Sequence, residues 1–163
     1  MMSKLILVIL LVVLLPLAVA AQSKERRGQG YFFVAPTTTS EGGAFLHMGG
    51  GGEGLVYKGL GVGGEVGYVG AVQELSSGGG ILSPHVSYNF RSASKSRKFV
   101  PFVIGGYSLL FTSDGAGNAL HFGGGMNWWF KDRVGLRLEF RDHFPPAAAR
   151  FHVFGVRIGL SFR

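Results

Sequence analysis

The feature that most constrains this chain is the two-residue alternation of two segments near its end. In Val134–His143, Val134, Leu136, Leu138 and Phe140 alternate with Gly135, Arg137, Glu139 and Arg141; in Phe151–Arg163, Phe154, Val156, Ile158, Leu160 and Phe162 alternate with Gly155, Arg157, Gly159 and Ser161. A period of two is the period of a β-strand, and it sorts the side chains of each segment onto two faces. One face is wholly apolar and the other is small, polar or charged. No window shows a sustained helical repeat. The 28 glycines argue the same way, since each interior helical Gly costs about 1 kcal/mol relative to Ala.

Carried upstream with turn residues as punctuation, the alternation predicts strands at Gly30–Ala35, Ala44–Tyr57, Leu60–Ala71, Gly80–Phe90, Phe99–Phe111, Asn118–Phe130, Val134–His143 and Phe151–Arg163. Lys58-Gly59 and Lys131-Asp132-Arg133 read as tight turns, and Arg91–Lys98 as the one long member of that set. Pro36–Gly43, Val72–Gly79, Thr112–Gly117 and Phe144–Arg150 read as longer loops. An even number of strands, each with an apolar face and joined by alternating short and long connections, is the signature of an all-β, eight-stranded antiparallel up-and-down transmembrane barrel. Closure follows from the solvent: in lipid every backbone N–H and C=O needs a partner within the protein, so an open sheet edge is not tolerated.

The start of the chain has the zones of a signal peptide. Lys4 is the only early charge, an apolar run Leu5–Leu15 follows, and Ala18-Val19-Ala20-Ala21 supplies small residues for cleavage. Residues 1–21 are therefore expected to be removed on export, leaving 22–163 as one barrel domain. No Cys occurs, which excludes disulfides, thiol catalysis, Cys-ligated zinc and a lipoprotein anchor. The net charge of +7 comes without a basic helix or patch, so no nucleic-acid partner is expected.

Charge decides which face points outward. A basic residue facing hydrocarbon at mid-membrane costs about 2–4 kcal/mol, so Arg137, Glu139, Arg141 and Arg157 are assigned to the lumen. Counting about 2.5 Å of depth per residue from the turns puts Glu53 and Glu65 at a similar level. These six residues form an expected ion-pair network of three carboxylates and three guanidiniums, with His85, Asn89, His121 and Asn127 on the same inward parity. Two readings of the network stand: a polar plug that fills a narrow barrel, and a gate in which an arginine exchanges carboxylates to open an ion path. Glycine runs such as Gly49–Gly52 and Gly123–Gly125 leave room for large lumen groups opposite. Tyr57, Tyr88, Phe90, Phe99, Trp128, Trp129 and Phe130 border the tight turns, where an interfacial aromatic girdle belongs.

The segment GGGGEGLVYKGLGVGGEVGYVG (Gly49–Gly70), a Glu on each arm of a tight hairpin with Gly around it, resembles the small outer-membrane β-barrel family typified by the outer membrane protein A transmembrane domain. The final GVRIGLSFR is similar to the C-terminal strand signal of that class, although Arg163 follows the aromatic Phe162. The resemblance implies residence in the outer membrane of a Gram-negative envelope, with tight turns and termini on the periplasmic side. It also implies contact with outer-membrane lipids, recognition by the barrel-assembly machinery and a monomeric state.

Catalysis is not expected. Ser83, His85 and Ser87 share the lumen parity rather than forming a hydrolase set on the lipid face. Asp142, His143 and His152 are conceivable metal ligands, but the two histidines have opposite parity. No cofactor and no metal is expected. The alternative from another class is a soluble periplasmic barrel holding an apolar ligand, in which the two faces would be reversed.

Overall fold

The computed structural model describes residues 28–90, 98–113, 115–146 and 151–163; the expected signal peptide lies outside them. Eight antiparallel strands follow in chain order: β1 (Gly28–Thr39), β2 (Ala44–Tyr57), β3 (Leu60–Ala71), β4 (Glu74–Asn89), β5 (Phe99–Thr112), β6 (Gly115–Trp129), β7 (Val134–Phe144) and β8 (Val153–Phe162). Each pairs with its neighbours in sequence, and β1 pairs with β8, from Gly30↔Phe162 to Thr39↔Val153, closing the barrel.

β2 and β3 have the expected bounds. β1, β4 and β6 extend further at their outer ends than the turn residues suggested. β4 begins at Glu74, so the expected Val72–Gly79 loop shrinks to Val72-Gln73 and the hairpin stands proud; Ala71 pairs with Glu74 across a register shift. Gly and Ser punctuate a sequence, yet once neighbouring strands supply partners their backbone joins the ladder, since an unpaired N–H or C=O is the costlier state. A 16-residue strand such as β4, at about 2.5 Å of depth per residue, exceeds an apolar band of about 25 Å. Strand ends therefore rise beyond it.

The tight turn between β2 and β3 needs two residues with positive φ, and it has them: Lys58 at 38° and Gly59 at 97°. Gly59 also passes close to the Asn89 carbonyl oxygen, where a Cβ would collide with it. The barrel is inside-out relative to a soluble protein. Phe32, Val34, Val66, Val86, Phe122, Phe140, Val156, Ile158 and Leu160 are exposed on the outer surface, while Glu53, Glu65, Arg137, Glu139, Arg141 and Arg157 are buried in the lumen.

Candidate functional site

The lumen is the candidate site, and cross-strand size alternation builds it. Every lumen charge but Arg157 lies beside a glycine on a neighbouring strand: Glu53 opposite Gly63, Glu65 opposite Gly51, Arg137 opposite Gly159, Glu139 opposite Gly125, and Arg141 between Gly123 and Gly155. A Cβ on Gly51 would stand 2.7 Å from Glu65 Cγ, and one on Gly63 would stand 2.8 Å from Glu53 Cβ. Those two positions admit no side chain without displacing a lumen carboxylate. Small against large is how so narrow a barrel fills its interior.

Glu65 is the hub. Its carboxylate accepts from Arg141 NH1 at 2.6 Å and NH2 at 3.0 Å, from Arg157 NH1 at 2.9 Å and from the Tyr31 hydroxyl at 2.7 Å. Glu139 takes Arg137 Nε at 2.9 Å and Arg141 Nε at 2.5 Å, with Arg157 NH1 further off at 3.8 Å. Arg141 thus bridges the two carboxylates. Charge-assisted bonds of this length are the strong kind, and in a site without bulk water the pairing is what makes burial of the charges tolerable.

The arginines also lean on aromatic faces that point into the lumen. The Arg137 guanidinium lies 3.9 Å from the Phe102 ring centroid and 4.3 Å from that of Tyr31, and Arg157 lies 4.2 Å from Phe33. The alternation in β7 and β8 gave no hint of these partners, which come from β1 and β5. Phe102 and Ile104 are buried apolar residues on the inward face of β5, so the lumen is not polar throughout.

Glu53 departs from the expectation of an arginine partner. It accepts from Gln29 Nε2 at 2.6 Å, Ser87 Oγ at 2.6 Å and Asn89 Nδ2 at 2.9 Å, with His85 Nε2 at 3.8 Å. The reason is register. Glu53 pairs across β2–β3 with Gly63, whereas Glu65 pairs with Gly51, one inward step higher, so only Glu65 reaches the arginine level. Asn127 sits further toward the tight turns and accepts from Ser161 Oγ at 3.0 Å. His121 lies toward the opposite end, its Nδ1 2.9 Å from Ser108 Oγ, which is itself 2.8 Å from Ser83 Oγ.

Tyr57, Tyr88, Phe90, Phe99, Trp128 and Phe130 are exposed around the tight-turn end, with Phe99 stacked on Trp128 at 5.9 Å and Tyr88 edge-on to Phe90 at 4.9 Å. Trp129 is the correction to that girdle. It is 4% exposed, points into the barrel and carries the Arg163 guanidinium 4.2 Å over its ring. Adjacent strand residues cannot share a face, and Trp129 has the parity of inward Asn127, a signal present in the sequence. Asp142 and His152 pair on the outer face, Oδ2 to Nδ1 at 2.8 Å, whereas His143 points inward. Among the described residues no three His, Asp or Glu side chains are grouped to hold a metal ion.

No family model matches the sequence, and neither does any curated protein. Solved structures do match in shape. The N-terminal β-barrel domain of Pseudomonas aeruginosa OprF superimposes with a TM-score of 0.61 at 13% identity, over 82% of this chain and 96% of that one. Neisserial surface protein A gives 0.60 at 14%, over 83% and 94%. The outer membrane protein OprG from Pseudomonas aeruginosa gives 0.51 at 11%, over 83% and 93%. The closed eight-stranded barrel, with its charges inside and its apolar belt outside, is the fold of the small outer-membrane β-barrels.

Proposed function

We propose that this protein is an integral outer-membrane barrel with a closed lumen, and that its role is structural or interaction-based rather than enzymatic. The observation that carries the reading is the inverted burial. Arg137, Arg141 and Arg157 are at most 2% exposed while Phe32, Phe122 and Val66 are each more than half exposed. In water that surface would be a continuous apolar band far beyond what a soluble monomer presents. In hydrocarbon it is the natural solvent-facing side. The soluble, ligand-carrying alternative requires the opposite assignment.

Outer-membrane lipids are the partners of the belt, with Lys58, Lys98, Lys131 and Arg133 placed at the tight-turn end to meet anionic headgroups. The β8 strand, ending in exposed Phe162, is the segment for the barrel-assembly machinery to read, and we expect a monomer. Support for a non-enzymatic role comes from where the lumen serines lie. Ser87 donates to Glu53, and Ser108, the serine within hydrogen-bond reach of an imidazole at His121, is shared with Ser83; all three are buried inside the barrel. The gate reading keeps one specific observation in its favour: Arg157 has Glu65 at 2.9 Å and Glu139 at 3.8 Å, two carboxylates within a short swing.

Membrane fractionation with a carbonate wash, followed by a gel comparing heated and unheated samples, tests the reading. Retention in the membrane and a heat-dependent mobility shift are expected. Release into the soluble fraction would refute it.

A further inference from the structure

Above the ion-pair layer, at the end of the lumen away from the tight turns, lies a cup of about 410 Å³ to which all eight strands or their ends contribute. Its floor includes His47, His143 and Ser108; its walls are mainly apolar, with Val69, Ile81 and Leu110 on one side and Phe151 and Val153 on the other, and Thr37 and Asn118 adding polar groups. The volume lies in the range of small-molecule sites, for which barrel mouths are a favoured location.

The floor is chemically unfinished. His47 of β2 and His143 of β7 line it with ring centroids 6.2 Å apart, and His121 of β6 lies against His143 at 5.5 Å, behind the lining. His121 is 3% exposed, and its Nε2 and that of His143 are buried without a hydrogen-bond partner. Buried polar atoms of this kind are rare in native proteins and call for a partner. The nearest full charge is a cation: Arg157 NH2 stands 3.4 Å from His47 Nδ1. Among the described residues no Asp or Glu lines the cup.

We infer that the cup is a binding site for a small monocarboxylate with an apolar body, its carboxylate seated on the imidazoles and its hydrocarbon against the Val69, Ile81, Leu110 and Val153 walls. Arg157 is paired with Glu65 through one terminal nitrogen and turns the other toward His47, so the floor meets a guanidinium edge rather than a carboxylate and favours an anion over a cation. Imidazoles supply N–H donors for the two oxygens, and a proton can be taken up with the ligand where a ring lacks one. The apolar walls exclude a bare inorganic anion as the best occupant. This site is separate from the ion-pair layer beneath it and makes no demand on that layer opening.

The test is calorimetric titration of the whole barrel in lipid nanodiscs, with empty nanodiscs subtracted, using 3-phenylpropionate, 3-phenylpropanol and 3-phenylpropylamine. These probes share one apolar body and differ in the head. Saturable binding of the carboxylate, at least about tenfold tighter than the alcohol or the amine, is expected. His143→Leu should weaken the carboxylate about tenfold and leave the alcohol unchanged. Leu110→Trp, which fills the cup while leaving every histidine in the sequence, should abolish binding of all three; it also keeps the proposal testable if His143→Leu fails the heat-mobility check for folding. No saturable carboxylate binding, equal or tighter binding of the amine, or undiminished binding to Leu110→Trp would overturn the assignment.

Discussion

Replacing Glu65 by Ala would remove the carboxylate on which two buried guanidiniums converge. Arg141 would keep Glu139 Oε1 at 2.5 Å, but Arg157 would be left with the same oxygen at 3.8 Å, beyond hydrogen-bond reach. The Tyr31 hydroxyl would lose its acceptor as well. A broken buried ion pair costs about 3–5 kcal/mol, and water entering the space vacated by the side chain draws the figure toward about 3 kcal/mol. Glu53→Ala is the matched control. Its partners Gln29, Ser87 and Asn89 are neutral, and leaving neutral buried donors unsatisfied costs about 1–3 kcal/mol. Urea unfolding from vesicles, followed by the mobility of unheated samples, should therefore rank Glu65→Ala as the more destabilised. Adding Arg157→Ala to Glu65→Ala should recover part of the loss, because the uncompensated charge goes with it. Equal destabilisation by the two single substitutions, or a larger loss from Glu53→Ala, would refute Glu65 as the hub.

Leu138→Arg, outward and 41% exposed near mid-depth, should cost about 2–4 kcal/mol in a vesicle folding assay. Gly117→Arg, inward at the wide outer end where the nearest atom to a new Cβ is 3.9 Å away, should cost far less; reversed effects would invert the face assignment. Gly59→Ala should destabilise by about 1–3 kcal/mol in urea, since it forces a Cβ onto the Asn89 carbonyl at a positive φ. Tyr31→Phe should cost about 1.5–3 kcal/mol, the range for a hydrogen bond to a charged group, measured in the same unfolding experiment. Planar-bilayer recording should find wild type without large steady conductance, because eight strands leave an interior that side chains fill, and should find added conductance in Glu65→Ala. A large wild-type conductance would contradict the closed plug.

The sequence by itself determined the local facts. Two-residue periodicity assigns a face to each side chain without knowledge of any neighbour, so the strands, the inward charges of β7 and β8 and the outward apolar row were legible, and lipid chemistry then required closure. The Trp128-Trp129 pair shows how far that logic reaches: the parity of Asn127 already sent Trp129 inward, although its place beside a tight turn suggested the girdle. Only the tertiary structure decided which groups meet. The β2–β3 register lifts Glu65 to the arginine level and leaves Glu53 one step below it, and that offset is set when neighbouring strands pair. Tyr31 and Phe102 reach Arg137 across the lumen, and the three histidines gather from β2, β6 and β7. Such contacts depend on the stagger and tilt with which the sheet closes. That stagger is a property of all eight strands at once, and no single stretch of sequence encodes it.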